Sequence, residues 1–549
     1  MSLNLGRLLA RHTTAPTFQN MGHFSVRELI VKNRHSNGSA DHPALVFGDQ
    51  SWSYRELDES VTQLASGLAA EGFVAGDRLA VYMYNRPEYV QLLFAVAHLG
   101  GIIVPLNYFL KGPEVQLAIE EAGITWLVVE DDLKKSLLPM RDYLDGRTRV
   151  VTVDFRDEGY IAIDDLMSAV HPLVAPAVLD QSDEFLYQFS SGTTGIPKAA
   201  VHTHGTVLTN ALTQVAEFAI TATDVHLVIP ALCWGAGFHD FTIATWWSGG
   251  TVVLNPSRRF NALQLARSIE ANGVTTVLLV PTVMGLLLHE PDINDAQLKS
   301  LRIILSGGEP VSVESLRELQ SRLPECRTIQ AYGLSEFPVI TTFLDGTDAL
   351  THRGSAGKAS LGTIIRVVDP DGNDVEPGSE GEIISKSIAT MKGYTSPSVD
   401  AGTRLVDGWL YTGDRARVDE DGFIYIAGRA KDMIISGGLN IYPAEIERIL
   451  VQQASVLESA VIGVKDEKYG ETGLAVVVVD DPGHIEQPVL WSALRDQLSN
   501  FKVPRHWDIR TTPLPRTTSG KVQKFLLKQE MSNHLDHCTC IDQANQESK

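Results

Sequence analysis

The chain has 549 residues, too many for a single hydrophobic core of ordinary size, and at about 150 residues per core three or four core-sized pieces are expected. Hydrophobic residues make up 44% and charged residues 21%, a globular composition that excludes extended disorder. Lys and Arg number 46 against 67 Asp and Glu, for a net charge of −21. This excludes nucleic-acid binding through a broadly basic surface, but not a phosphate held by local N–H and cationic groups.

The N-terminal stretch 1–19 carries Arg7, Arg11 and His12 without an apolar core, a poor secretory signal. Arg55–Glu71 has apolar residues at helical spacing, and Arg78–Tyr84 reads as a strand after Gly76-Asp77. Helix at Glu88–Leu99, strand at Ile102–Pro105, helix at Pro113–Ala122 and strand at Thr125–Glu130 follow. The apolar run Gln91–Leu106 is broken by His98 and paired glycines, too short to span a bilayer. A soluble, cytoplasmic protein is expected. The alternation resumes at Leu263–Ala271, Thr275–Val280 and Arg302–Leu305, and indicates sheets covered by helices on both faces.

From about Gly362 short strands and turns (Thr363–Asp369, Pro370-Asp371-Gly372, Gly381–Ser385) suggest a smaller β-rich piece. After Gly428-Arg429-Ala430-Lys431-Asp432 the texture changes to a compact α+β unit, with helices at Ala444–Gln453 and Pro488–Leu498 and strands at Glu458–Val464 and Leu474–Val479. The expected architecture is α/β. A large N-terminal domain, 1–430, has mixed and parallel sheets and the β-rich subdomain; a small α+β C-terminal domain, 431–529, precedes a polar tail, 530–549. Cys233, Cys326, Cys538 and Cys540 are too few and scattered for a disulfide framework, and the His-Cys-Thr-Cys of the tail would need further ligands to hold a metal.

The most informative stretch is Ser190-Ser191-Gly192-Thr193-Thr194-Gly195-Ile196-Pro197-Lys198. It follows an apolar strand (Glu184–Phe189) and precedes a helical pattern near Gly205, so it reads as a strand-to-helix turn. Glycines let backbone N–H groups approach phosphate oxygens, and the hydroxyls add donors. The spacing is not GxxxxGK[ST], so P-loop chemistry is not implied; the bland reading is a flexible polar loop.

SSGTTGIPK resembles the phosphate-binding signature of the adenylate-forming superfamily: acyl-CoA synthetases, nonribosomal peptide adenylation domains and beetle luciferases. Trp52–Leu57, Leu99-Gly100-Gly101 and Val104-Pro105-Leu106 are similar to its N-terminal motifs, and Ser306–Pro310 and Tyr332–Glu336 to its adenine and Mg²⁺ motifs. Tyr411–Asp414, Gly428–Asp432 and Pro515–Lys521 complete a set spanning residues 50–525. The resemblance implies activation of a carboxylic acid with ATP and Mg²⁺, then transfer of the acyl group to coenzyme A.

The same resemblance implies the site. ATP contacts fall on Ser190, Ser191, Gly192, Thr193, Thr194, Gly195 and Lys198, on Gly308, Glu309 and Pro310, and on Ala331, Tyr332, Gly333 and Ser335. Tyr332 would stack on adenine. Glu336 is the Mg²⁺ carboxylate, a hard oxygen ligand. The family usually has Thr where Ser335 stands, and the hydroxyl is retained. Asp414 matches the ribose-binding aspartate and Arg429 the ribose and phosphate side. Lys431 stands at the hinge about which the small domain rotates between half-reactions. Lys521 matches the catalytic lysine; with Thr194 and Glu336 it would offset charge that builds as a carboxylate meets the α-phosphate. Ser436, Gly437 and Gly438 open the segment read as the coenzyme A site, since glycines admit a narrow pantetheine arm.

The acyl pocket draws on Pro230–Phe241, where the family's Pro-x-Phe-His-x-x-Gly is absent. Trp234 falls near the gate position. Ala236 stands where amino-acid-activating members carry Asp, which disfavours amino acids. Small and apolar residues (Ala236, Gly237, Val283, Met284, Phe337) suggest an apolar chain or ring, with a fatty acid preferred. His239 is either a pocket residue or a helix-packing histidine. An acyl carrier protein as thiol acceptor, a luciferase-like oxygenase and a silent nucleotide-binding protein are the alternatives. Oligomeric state is open, a homodimer included.

Overall fold

The computed structural model describes residues 23–532 and 539–540, apart from 37, 191–197, 257–259, 308–310, 312, 353, 397–402, 430–433, 442, 452, 454–455, 480–486, 516–521 and 523. Two large sheets frame the N-terminal part. The eight-stranded sheet runs, edge to edge, Gly393–Tyr394, Lys198–Thr203, Glu184–Ser190, Ile102–Pro105, Arg78–Tyr82, Trp126–Glu130, Arg149–Val153, Ile161–Ala162. The nine-stranded sheet has Val225–Val228, Thr251–Leu254, Thr276–Leu278, Ile303–Gly307 and Arg327–Leu334 at its parallel centre. Parallel strands need crossovers, and the helices between them supply these.

The expected elements recur with boundary shifts of at most two residues, except that the strand expected at Leu474–Val479 starts at Gly470. The helix Tyr54–Ala70 starts on a capping box, Ser53 with Glu56, and ties to the nine-stranded sheet through Tyr54, whose hydroxyl donates to Gly250 O at 2.7 Å. The helix Pro87–Leu99 opens on proline and ends at left-handed Gly100. Every residue of it except Glu88 is buried, because it lies in a layer between the two sheets and not on an outer face. One core joins Leu79, Val81 and Val128 of one sheet to Leu45, Val228 and Val252 of the other through this layer. Gly112–Ala122 covers the outer face of the eight-stranded sheet, and Ala262–Asn272 and Pro281–His289 that of the nine-stranded one.

A five-stranded antiparallel sheet (Thr363–Val368, Glu380–Ser387, Trp409–Val418, Arg404–Val406, Ile424–Arg429) forms the β-rich piece. The six-stranded sheet of the separate C-terminal domain uses only strands from Ile434 onward, centred on Gly470–Val479. Its edge is Thr539–Cys540, paired antiparallel with His506 and Trp507. The stretch read as a solvated tail therefore contributes two residues to a sheet; its polar composition hid this because ladder bonds are made by backbone. No described helix is long and apolar enough to cross a membrane.

Candidate active site

The glycine-rich stretch does not lie at a strand-to-helix turn. Glu184–Ser190 and Lys198–Thr203 pair antiparallel, with Ser190 opposite Lys198, and the next helix begins at His204, capped by Thr203. Lys198–Thr203 is buried at every position and so forms an inner strand. Ser191, Gly192, Thr193, Thr194 and Gly195 lie outside the described residues.

The strands Arg327–Leu334 and Phe337–Asp345 meet at a tight reversal that carries Ser335 and Glu336. Glu336 is buried; its Oε1 accepts the Tyr394 hydroxyl at 2.6 Å, and its carbonyl accepts Met391 N–H at 2.9 Å. Tyr394 pairs with Ala200, and the Lys198 ammonium lies 6.0 Å from the Tyr394 ring centroid. The carbonyl of Ser335 accepts from His202 Nε2 at 2.8 Å. Burial lowers the His202 pKa to about 4, so its ring is neutral. These contacts draw Ser335 and Glu336 to the strand Lys198–Thr203.

Tyr332 lies four residues before Glu336, near the end of the strand Arg327–Leu334. Its hydroxyl donates to Asp414 Oδ2 at 2.5 Å, joining the nine-stranded sheet to the five-stranded one. Asp414 is buried in Trp409–Val418, where the ladder slips between Glu382 and Ile384 and residues Thr412–Asp414 bulge. Gly413 takes φ 75° in this bulge, a left-handed conformation that a side chain would strain. The Thr412 hydroxyl accepts Asp414 N–H at 3.1 Å and donates to Ile383 O at 2.7 Å, which pins the bulge. Ala331 lies opposite Gly307, the last described residue before Gly308, Glu309 and Pro310, which are outside the described set. Gly333 sits at the register slip between Tyr332 and Leu334. Arg429 is paired with Asp414 in the ladder, and its side chain is outside the described set.

In the acyl segment, Trp234 is half-buried and contacts Tyr108 and Phe109, with ring centroids 6.2 and 6.4 Å away. Ala236 packs beside Phe241, Leu278 and Ile340. Gly237 has no room for a side chain: a Cβ there would stand 2.2 Å from Ala231 O. Met284 is fully buried in the core under the nine-stranded sheet, and Phe337 packs with Ala200, Met391 and Leu410. His239 is buried with neither ring nitrogen hydrogen-bonded, 5.8 Å from the His202 ring, and desolvation puts its pKa well below the usual value. Ser436 ends a short strand, and Gly437 and Gly438 turn with φ 55° and 77°. Gly438 faces the large domain, a Cβ there lying 3.8 Å from Val280 Cγ1. Lys431 and Lys521 lie outside the described residues.

Sequence reasoning missed Tyr394 and His202. A two-residue strand (Gly393–Tyr394) has no periodicity to read, and His202 is one polar residue in a buried strand. Among the described residues no group of three His, Cys, Asp or Glu could hold a metal. Glu336 fits a Mg²⁺ carried largely by phosphate oxygens, for which one or two protein carboxylates suffice.

Residues 33–395 match the family model "AMP-binding enzyme" and residues 445–521 the model "AMP-binding enzyme C-terminal domain". The chain is 35% identical over 491 residues to a feruloyl-CoA synthase of Amycolatopsis sp, covering 89% of this chain and 96% of that protein. It is 34% identical over 505 residues to an indoleacetate–CoA ligase of Aromatoleum aromaticum, covering 90% and 96%. Among solved structures, o-succinylbenzoate CoA synthetase of Bacillus subtilis matches in several complexes. A double mutant bound to the product analogue OSB-NCoA gives a TM-score of 0.82 at 28% identity, covering 91% of this chain and 98% of that one. The complex with the acyl-adenylate OSB-AMP gives 0.67 at 27% identity, covering 94% and 99%. Two family models in order, over a shared three-sheet site and a separate C-terminal domain, assign the chain: it belongs to the AMP-binding enzymes, in the acyl-CoA synthetase branch of the adenylate-forming superfamily.

Proposed function

We propose that the protein joins an apolar carboxylic acid to coenzyme A in two steps. The acid's carboxylate oxygen attacks the ATP α-phosphorus and pyrophosphate leaves. The thiol sulfur of coenzyme A then replaces AMP at the acyl carbon, and the thiol proton passes to solvent. The observation that carries this reading is the pair of tyrosine–carboxylate contacts, Tyr332–Asp414 and Tyr394–Glu336, along residues 332–336, the second of them paired to the strand that follows the glycine-rich stretch.

In this reading Tyr332 lies along the adenine, and Asp414 accepts protons from the ribose hydroxyls with oxygens its buried bulge holds in place. Tyr394 fixes the Glu336 carboxylate, which would hold Mg²⁺; bound there, the ion neutralises phosphate charge. Lys198 anchors the hairpin base, and Lys521 arrives with the C-terminal domain for the first step. Gly437 and Gly438 serve the second. Trp234, Ala236, Gly237 and Phe337 border the acyl group. The relatives named for ferulate and indoleacetate support a ring-bearing acid over the fatty acid preferred above.

The test is pyrophosphate release from ATP and Mg²⁺ with ferulate, indoleacetate and dodecanoate, each with and without coenzyme A. Acid-dependent release that turns over only with coenzyme A, yielding AMP and the thioester, is the expected result. Release stalled at about one equivalent per enzyme with coenzyme A present would overturn the acceptor assignment. No release with any of the three would overturn the proposed substrate class.

A further inference from the structure

The two domains meet through a small buried contact that none of the motifs covers. The helix Gly112–Ala122 begins just after Lys111, and Glu114 in its first turn accepts Lys111 N–H at 3.0 Å. The other side of the Glu114 carboxylate is taken by the C-terminal domain, from residues nearly 390 positions away. Lys502 Nζ donates to Oε1 at 2.9 Å, and Ser499 Oγ lies 3.4 Å from Oε2. The Ser499 hydroxyl also donates to Phe109 O at 2.5 Å. The Glu114 and Lys502 side chains are only 7% and 10% exposed, so this is a desolvated ion pair. Beside it Phe501 packs edge-on to Phe109, centroids 5.7 Å apart, and Phe109 continues to Trp234 of the acyl segment.

A desolvated pair discriminates sharply between arrangements. With the C-terminal domain turned away, Glu114 still caps its helix and Lys502 returns to water, so neither partner is left buried and uncompensated. With the domain docked, the two must meet at hydrogen-bonding distance or the arrangement carries an unpaired buried charge. The docked arrangement is the one in which Gly438 faces Val280 of the large domain. It is also the arrangement that resembles the product-analogue complex of o-succinylbenzoate CoA synthetase more closely than the acyl-adenylate complex.

We infer that Lys502, Ser499 and Glu114 form a latch that positions the C-terminal domain for the thiol-transfer step, so that Lys502 is a positioning residue for the second half-reaction and not for the first. The inference rests on the two-step reading above. The latch touches no reacting atom. It acts by setting how often the Gly437-Gly438 turn is held against the large domain, and through Phe109 it bears on the Trp234 side of the acyl segment.

The experiment uses the full-length enzyme and measures the half-reactions separately. Adenylation is read as acid-dependent ATP–pyrophosphate exchange with ferulate, indoleacetate and dodecanoate. Transfer is read as coenzyme A-dependent consumption of the corresponding synthetic acyl-AMPs. Lys502→Met should slow transfer by about tenfold or more, as truncating one partner of a buried interface pair does, while leaving exchange unchanged or faster. Lys502→Arg, which keeps the charge, should recover most of the transfer rate, and Ser499→Ala should show a smaller loss of the same kind. Equal losses in both half-reactions with a lowered melting temperature would overturn the latch in favour of a general structural role. Unchanged transfer in Lys502→Met would overturn it outright. If the unsubstituted enzyme exchanges pyrophosphate but consumes no acyl-AMP with coenzyme A, the acceptor assignment fails, and the latch with it.

Discussion

Replacing Asp414 separates two roles that its carboxylate could have. One oxygen accepts the Tyr332 hydroxyl inside the protein; in the proposed complex the group also accepts from the ribose. If the carboxylate served only to hold the tyrosine, Tyr332→Phe and Asp414→Ala would weaken ATP by similar small amounts. If it binds the ribose, Asp414→Ala loses hydrogen bonds to a charged acceptor, each about 1.5–3 kcal/mol, and leaves the Tyr332 hydroxyl short of a partner. A net loss of about 2–4 kcal/mol is expected, roughly 30-fold to 10³-fold in Kd, against less than about 1 kcal/mol for Tyr332→Phe. The bulge should survive Asp414→Ala, because it is pinned by the Thr412 hydroxyl and by left-handed Gly413. Calorimetric titration with α,β-methylene ATP, which cannot be adenylated, measures the binding without turnover. Equal losses in the two variants, or unchanged affinity in Asp414→Ala, would refute the ribose assignment.

Three further outcomes are expected. Lys521→Ala should abolish acid-dependent pyrophosphate exchange while sparing transfer from supplied acyl-AMP; equal loss of both would contradict the division of labour. Tyr394→Phe leaves the Glu336 carboxylate without its hydroxyl donor, so the Mg²⁺ concentration for half-maximal pyrophosphate release should rise about tenfold, as for other supports of metal ligands; an unchanged Mg²⁺ dependence would remove Tyr394 from that role. Stability should fall as the solution is acidified. Burial holds His202 and His204 at about 4 and His226 at about 3, below the unfolded value near 6.5. Below pH 6.5 the unfolded chain therefore takes up protons that the folded one refuses, at about 2 kcal/mol per histidine by pH 5. The melting temperature should be flat above pH 7 and drop between pH 6.5 and 5; a flat profile across that window would show that these rings titrate in the folded state.

The alternating helices and strands of the first half were legible because burial sets their period: Pro87–Leu99 is largely apolar since all of it but Glu88 is covered, and Ile102–Pro105 is a continuous apolar run since both faces of its sheet are packed. At the candidate site the sequence singled out Asp414 and Tyr332 separately, and the structure joins them by a hydrogen bond behind left-handed Gly413. The site was not legible where a contact joins short or distant pieces. Tyr394 belongs to a strand of two residues, and Thr539–Cys540 pairs by backbone alone. Lys502 looks like any lysine after a helix until the fold brings it to Glu114, because nothing in the local pattern of either residue marks the partner.

The glycine-rich stretch leads from strand to strand and not from strand to helix. At a strand-to-helix turn the first helical N–H groups and the helix dipole would face the phosphates and supply a fixed positive end. Here the stretch joins two antiparallel strands, and the helix that follows starts at His204, beyond the whole of the inner strand. Helix-end stabilisation decays within one turn, so the end of this helix does not act at the glycine-rich stretch. In the proposed reaction the charge that builds as carboxylate meets phosphate is then left to the stretch's own N–H and hydroxyl donors, side-chain cations and the metal ion. Near the hairpin the described cation is Lys198, and it is buried at the hairpin base beside Tyr394. In the proposed reaction Lys521 of the C-terminal domain would supply a second cation. That is why Lys521→Ala should remove adenylation nearly completely, whereas an enzyme with a helix N-terminus at this loop would be expected to retain a substantial remainder.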